Sequence, residues 1–247
     1  MFDLHSHVLP AIDDGAQTLE DTRQLLELAV ADGIHTIVAT PHINPGVFDN
    51  GKQSINLALQ TVVDAHFDLP LRIAAAAEVR LTEHILPAIE RQQLPFLGKY
   101  QGMDVLLLEF PHSHIPAGAD KLVRWLLQRQ IMPMIAHPER NRDVQANPQV
   151  LAPFRRMDCL FQLTAGSISG DLGDRHQQCA IDLLKQRLFH IVASDCHSSL
   201  RRPPRMKAAT QQIAALCDEH YAEQISVSNP ARIVESLSFI SLAAVGP

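Results

Sequence analysis

Short apolar runs recur along the chain, and several of them end at a histidine or a carboxylate. Rich in Val, Ile and Leu, seven such runs predict strands at Phe2–His5, Ile34–Thr40, Leu71–Glu78, Val105–Phe110, Met132–His137, Cys159–Thr164 and Phe189–Ser194. Longer segments of helical period separate them, which is typical of β-α units around a parallel sheet. The pattern therefore predicts an α/β fold.

Polar residues stand at or just after the predicted strand ends, at His5, His7, His42, Glu78, Glu109, His137, Asp195 and His197. In a parallel β/α barrel, the carboxyl ends of the strands and the loops after them build one site. We therefore expect these side chains to converge at one barrel mouth.

Two covering helices can be predicted with approximate limits. Thr18 and Asp21 have the spacing of a capping box at the start of Leu19–Ala31. The periodicity of that segment predicts an apolar face that includes Leu28. Apolar residues at helical spacing predict a second helix within Ala117–Arg129.

Length, composition and charge limit the classes of protein that this chain can be. A chain of 247 residues, 46% hydrophobic and 19% charged, fits a single folded domain over residues 1–247. The net charge of −6 gives no basic surface for nucleic acid, so we expect no nucleic-acid partner.

The sequence also predicts where the chain resides. No apolar run approaches the roughly 20 residues that span a bilayer, and the N-terminus lacks the features of a signal peptide. We expect a cytoplasmic protein without membrane insertion. Its four cysteines form no Cys-x-x-Cys pair, so reduced structural thiols are expected.

The residue types at the predicted strand ends favour a metal centre. His5 and His7 lie two residues apart, so their imidazoles share one face of a strand. Glu78 and Glu109 end apolar runs, where an unpaired carboxylate is costly unless a cation accompanies it. Mixed nitrogen and oxygen ligands suit manganese, iron or zinc, and carboxylates that bridge two ions would form a hydrolytic centre.

Eight motifs, in this order, resemble those of the polymerase and histidinol phosphatase (PHP) superfamily: His5-Ser6-His7, Asp13-Asp14-Gly15, Thr40-Pro41-His42, Glu78, Leu108-Glu109-Phe110-Pro111, Ala136-His137-Pro138-Glu139-Arg140, Ser194-Asp195-Cys196-His197 and Arg202-Pro203-Pro204. More closely, they are similar to its bacterial protein-tyrosine phosphatases of capsule and exopolysaccharide systems. The likeness covers nearly the whole chain.

The resemblance implies a distorted (β/α)7 barrel of the PHP type with three divalent metal ions, usually manganese. It also implies a phosphatase that acts on phosphotyrosine, with a bacterial tyrosine autokinase of polysaccharide export as partner. The metal ligands that it implies are His5, His7, Asp14, His42, Glu78, Glu109, His137, Asp195 and His197. Arg140 and Arg202 would bind phosphate, whereas the residues alone leave Asp13 and Asp14 as alternatives.

Other functions are compatible with parts of the sequence. A related metal site could hydrolyse histidinol phosphate, another small phosphomonoester or an amide bond, and a silent PHP module could serve as a structural partner. Cys196 and Arg202 have the Cys-x5-Arg spacing of cysteine-dependent tyrosine phosphatases, but the loop between them lacks glycine. His112 and His114 are expected in a loop or at the substrate rim rather than among the ligands.

Overall fold

Apolar runs form the walls of a barrel in the computed structural model, which describes residues 1–244. The strands are β1 (Phe2–Ser6), β2 (Thr36–Ala39), β3 (His42–Ile43), β4 (Arg72–Ala75), β5 (Glu78–Arg80), β6 (Lys99–Tyr100), β7 (Met103–Glu109), β8 (Ile131–Ile135), β9 (Leu160–Thr164), β10 (Ile191–Ala193) and β11 (Ile240–Ser241). Each of the seven predicted strand regions overlaps at least one of them.

The strand pairs follow one another around a ring. One sheet has the order β1-β2-β4-β11, and the other has the order β10-β9-β8-β7-β5-β3. A parallel bridge between Ser6 and Cys196 joins β1 to the segment after β10. The chain runs from β2 into β3 and from β4 into β5 across short breaks. In each pair the first strand belongs to the first sheet and the second strand to the other, so the two sheets are continuous there. This arrangement is the distorted seven-stranded barrel that the PHP resemblance implies.

Helices and short helical turns connect the strands. They are α1 (Leu19–Ala31), α2 (Lys52–Asp64), α3 (Ile85–Glu90), α4 (Ala119–Leu127), α5 (Arg142–Ala146), α6 (Ala152–Arg155), α7 (Ala165–Ser169), α8 (Asp174–Lys185), α9 (Lys207–Leu216), α10 (Glu219–Glu223) and α11 (Asn229–Val234). Among residues 1–244, no helix has both the length and the apolar character needed to cross a bilayer.

Helix α1 has the limits that its capping residues predict. The Thr18 side chain accepts a hydrogen bond from the Asp21 N–H, and the Asp21 carboxylate accepts one from the Thr18 N–H. The predicted apolar face was wrong at Leu28, which is 39% exposed. The buried stripe instead includes Leu26, because the helix is rotated slightly from the predicted orientation.

Strand β7 shows how the barrel separates its core from its site. Leu106 and Leu108 belong to the larger apolar cluster, which includes residues of the surrounding helices. Val105 and Leu107 belong to a second cluster, built from side chains of several barrel strands and α11. Because side chains alternate along a strand, Glu109 follows Leu107 on this second face. The apolar interior thus leads directly to the polar mouth.

The single domain over residues 1–247 stays a prediction. Its last three residues lie outside the described part of the chain.

Candidate active site

All nine predicted metal ligands lie together at one end of the barrel. They form four overlapping groups whose potential ligand atoms lie within 4.8 Å of one another: His7, Asp14, His42 and His197; His5, His137 and Asp195; His5, His7 and Glu78; and His42, Glu78 and Glu109. Across residues 1–244, these groups contain the nine predicted ligands and no other residue.

Glu78 lies at the centre of the cluster. Its Oε2 atom is 3.2 Å from His5 Nε2, 3.4 Å from His7 Nε2 and 3.0 Å from His42 Nδ1. Its Oε1 atom is 2.8 Å from His137 Nε2. Burial alone would raise the pKa of Glu78, but the imidazoles of His5 and His42 hold it well below its usual range. One carboxylate thus contacts four ligand candidates from three separate segments of the chain.

Three buried atoms of the cluster have a charged neighbour within 3.0 Å but no well-aligned hydrogen bond among the described residues. They are Glu78 Oε2, Glu109 Oε2 and His42 Nδ1. A buried polar atom without a partner costs about 1–3 kcal/mol. Burial and the neighbouring Glu78 charge also raise the pKa of Glu109 to about 8. The donor set therefore fits divalent cations that accept nitrogen and oxygen ligands, because these would satisfy the atoms and reduce the repulsion.

The geometry distinguishes the two aspartates of the first loop. Asp13 Oδ2 lies 2.7 Å from His7 Nδ1 and accepts a hydrogen bond from the His42 N–H at 3.0 Å. Asp13 therefore contacts the Nδ1 atom of His7, and the Nε2 atom of His7 faces the cluster. Asp14 Oδ1 lies 3.4 Å from the Nε2 atoms of both His42 and His197. These contacts support Asp14 as a ligand and Asp13 as a residue that orients one.

Both predicted phosphate-binding arginines contact Asp195. The Arg140 and Arg202 guanidinium groups form ion pairs with the Asp195 carboxylate, and Arg202 also donates to its backbone oxygen at 2.9 Å. Burial alone would raise the pKa of Asp195, but His5 and the two arginines hold it well below its usual range. Sequence reasoning missed a third cation, Arg80, whose Nε atom lies 2.9 Å from Glu109 Oε2.

The cluster and the arginines border one cavity of about 290 Å³. It is lined by Asp14, His42, Asn44, Val47, Phe48, Glu78, Arg80, Glu109, His112, His137, Arg140, Asp195, His197 and Arg202. Of the two histidines expected at the rim, His112 lines the cavity and lies 3.3 Å from Arg140 Nη2. The ring of His114 instead hydrogen-bonds Ser113. Neither histidine belongs to a ligand group.

Comparison with known proteins identifies the family. The family model for capsular polysaccharide synthesis, CpsB/CapC, matches residues 1–235. The chain belongs to the CpsB/CapC family. This result confirms the resemblance to bacterial capsule-associated phosphatases of the PHP superfamily.

Individual CpsB/CapC relatives match most of the chain. Tyrosine-protein phosphatase YwqE of Bacillus subtilis (strain 168) is 36% identical over 202 residues, which cover 80% of this chain and 78% of YwqE. Tyrosine-protein phosphatase CpsB of Streptococcus pneumoniae is 29% identical over 246 residues, 95% of this chain and 98% of CpsB.

A solved structure supports the same relationship. It comes from work on YwqE and the pneumococcal CpsB, described as "unique metal-dependent tyrosine phosphatases", and aligns with a TM-score of 0.88 at 30% identity. The alignment covers 98% of this chain and 97% of the other. The predicted PHP-type fold is therefore confirmed.

A cysteine nucleophile does not fit this CpsB/CapC chain. Cys196 is fully buried, and burial raises the pKa of its thiol to about 12. A thiolate is the nucleophilic form of cysteine, so this thiol would be inactive near neutral pH. Arg202 donates to the Asp195 backbone oxygen instead of completing a phosphate-binding loop around Cys196.

Gln162 is a residue of the CpsB/CapC site that sequence reasoning missed. Its Oε1 atom lies 3.0 Å from His5 Nδ1 and accepts a hydrogen bond from the His137 N–H at 3.1 Å. Gln162 therefore orients one ligand candidate and fixes the backbone of another. The available signal was a single amide between the apolar residues Phe161 and Leu163.

Replacing Gln162 with leucine should weaken divalent metal binding by about 10- to 100-fold, because His5 would lose the partner that orients its ring. Gln162→Glu keeps an acceptor at the same position and should retain more of the affinity. Titration of the metal-depleted proteins with manganese, followed by metal analysis, would measure both effects. Wild-type affinity in Gln162→Leu would exclude the orienting role.

Proposed function

We propose that this protein is a metal-dependent protein-tyrosine phosphatase, a phosphoric monoester hydrolase. The observation that carries the proposal is the cavity lined by seven of the nine ligand candidates and by the two arginines. Guanidinium groups bind phosphate through paired N–H donors, and the cluster suits divalent cations. The names of YwqE and CpsB support the same activity.

We infer that the cluster holds three divalent ions, with manganese preferred and iron or zinc as alternatives. The proposed ligands are His5, His7, Asp14, His42, Glu78, Glu109, His137, Asp195 and His197. When bound, such ions polarise a phosphoryl oxygen and activate water at neutral pH. Asp13 and Gln162 hold the rings of His7 and His5 at their outer nitrogen atoms, so the inner nitrogens face the cluster.

The arginines supply the positive charge that the phosphoryl group needs. Arg140 and Arg202 both line the cavity, so their N–H donors can bind the equatorial oxygens and neutralise charge that develops in the transition state. A phenol has a pKa of about 10 and leaves more readily than an alkoxide. The chemistry therefore favours a tyrosine ester without requiring a strong general acid.

Accessibility favours a phosphate carried by a protein. The Asp14 side chain is 55% exposed although it lies among the ligand candidates. Sites for small metabolites usually enclose most of the ligand, whereas a phosphotyrosine on a protein needs an open mouth. This exposure supports phosphotyrosine over histidinol phosphate as the substrate.

The family suggests the biological partner. The CpsB/CapC family is named for capsular polysaccharide synthesis. We therefore propose that the phosphorylated protein is a bacterial tyrosine autokinase of polysaccharide export. The reaction would take place in the cytoplasm, where such a kinase domain would carry its phosphotyrosines.

A substrate panel tests the proposed activity. The manganese-loaded protein should hydrolyse phosphotyrosine peptides with kcat/KM at least about tenfold above that for phosphoserine peptides or histidinol phosphate, because phenolate is the better leaving group. Phosphate release from each substrate at equal concentration gives the comparison. Preference for histidinol phosphate would replace this function with that of a small-molecule phosphatase.

Replacement of Arg140 by alanine should lower kcat/KM for phosphotyrosine peptides by about 10²-fold, because a donor to the transition state is lost. Arg140→Lys should recover only part of the rate, since lysine cannot form the paired contacts. Steady-state kinetics and metal analysis should be made on the same preparations. Metal loss in Arg140→Ala would mean that Arg140 acts through the ligand cluster instead.

A further inference from the structure

The active-site cavity has one apolar wall. Of the described residues that line it, only Val47 and Phe48 carry purely hydrocarbon side chains, and the other twelve are polar or charged. The two residues are adjacent in the loop that follows β3. The cavity therefore has a charged region suited to a phosphoryl group and a single hydrocarbon surface at its border.

The backbone of this loop is held in a fixed turn. Asn44 and Phe48 exchange backbone hydrogen bonds of 3.0 and 2.8 Å, and the Gly46 N–H donates to Asp49 Oδ1 at 2.7 Å. The Asn50 amide also donates to the His42 backbone oxygen at 2.9 Å. The apolar wall is therefore positioned before substrate binds, which lowers the entropic cost of the contact.

Phe48 and Val47 extend from the ligand cluster towards solvent. The Phe48 ring stacks on the His42 imidazole with a centroid distance of 5.4 Å and an interplanar angle of 10°. Val47 is 65% exposed. Leu57 has a similar exposure of 64% but does not line the cavity. Leu57 is therefore a matched control.

We propose that Val47 and Phe48 bind the aromatic ring of phosphotyrosine and set the preference for aryl over alkyl phosphates. The inference rests on the proposed phosphatase function and assigns its substrate selectivity to two residues. With the phosphoryl group among the arginines and the ligand cluster, a tyrosine side chain presents a whole ring to the apolar wall. A serine side chain presents only one methylene, which buries far less hydrocarbon surface.

Binding of two phosphonates isolates this contact from the chemical step. Phenylphosphonate and methylphosphonate carry the same charged group, but only the former has a ring. In calorimetric titrations of the manganese-loaded protein, wild type should bind phenylphosphonate more tightly. Val47→Ala and Phe48→Leu should each weaken phenylphosphonate binding by about three- to tenfold and leave methylphosphonate binding unchanged. Leu57→Ala should bind both as wild type does.

Two results would overturn the assignment. Equal weakening for both phosphonates would show that the loop only supports His42, and unchanged phenylphosphonate binding would show that the ring lies elsewhere. Metal analysis of Phe48→Leu separates a perturbed His42 from a lost ring contact, and Val47→Ala tests the wall without touching the His42 stack.

Kinetics distinguish this inference from the proposed function. The kcat/KM for a phosphotyrosine peptide should fall in the Val47 and Phe48 variants by the same factor as phenylphosphonate affinity. A wild-type protein that binds phenylphosphonate preferentially but does not hydrolyse the peptide would refute the phosphatase function alone. A protein that hydrolyses the peptide without any effect of the two variants would refute the apolar wall alone.

Discussion

Buried negative charge at the barrel mouth governs the organisation of this protein. Glu78, Glu109 and Asp195 are all almost completely buried within one cluster of imidazoles. Burial and repulsion from Glu78 raise the pKa of Glu109 to about 8, whereas nearby cations hold the pKa of Asp195 well below its usual range. Charges in such surroundings are costly unless they are paired. Divalent cations would neutralise the cluster, so metal binding and the stability of the mouth should be coupled.

Different parts of the barrel carry the ligand candidates, the residues that orient them, the phosphate-binding arginines and the apolar wall. Strand ends bring the ligand candidates together, and a second layer that includes Asp13 and Gln162 orients the imidazoles. Arg140 and Arg202 line the same cavity and add donors for a phosphoryl group. The loop containing Phe48 supplies the hydrocarbon surface. This loop and the ligand cluster meet where the Phe48 ring stacks on the His42 imidazole.

The sequence allowed the strand ends and their ligand candidates to be predicted because parallel barrels direct the carboxyl ends of their strands to one mouth. It could not separate Asp13 from Asp14, since adjacent loop residues face different ways and only the fold decides which one meets His197. Gln162 was missed because its partner His5 lies 157 positions away and no local pattern marks the pair. The break between β4 and β5 was also missed, because it falls within one continuous alanine-rich run.

Removal and return of metal would decide whether the cluster works as described. The protein should be stripped with a chelator, dialysed, and assayed for bound metal and phosphotyrosine hydrolysis while manganese is added back. Because the ligand candidates need cations to activate water, activity should vanish on stripping and return in step with the metal bound. Full activity in a preparation shown to contain no metal would refute the account.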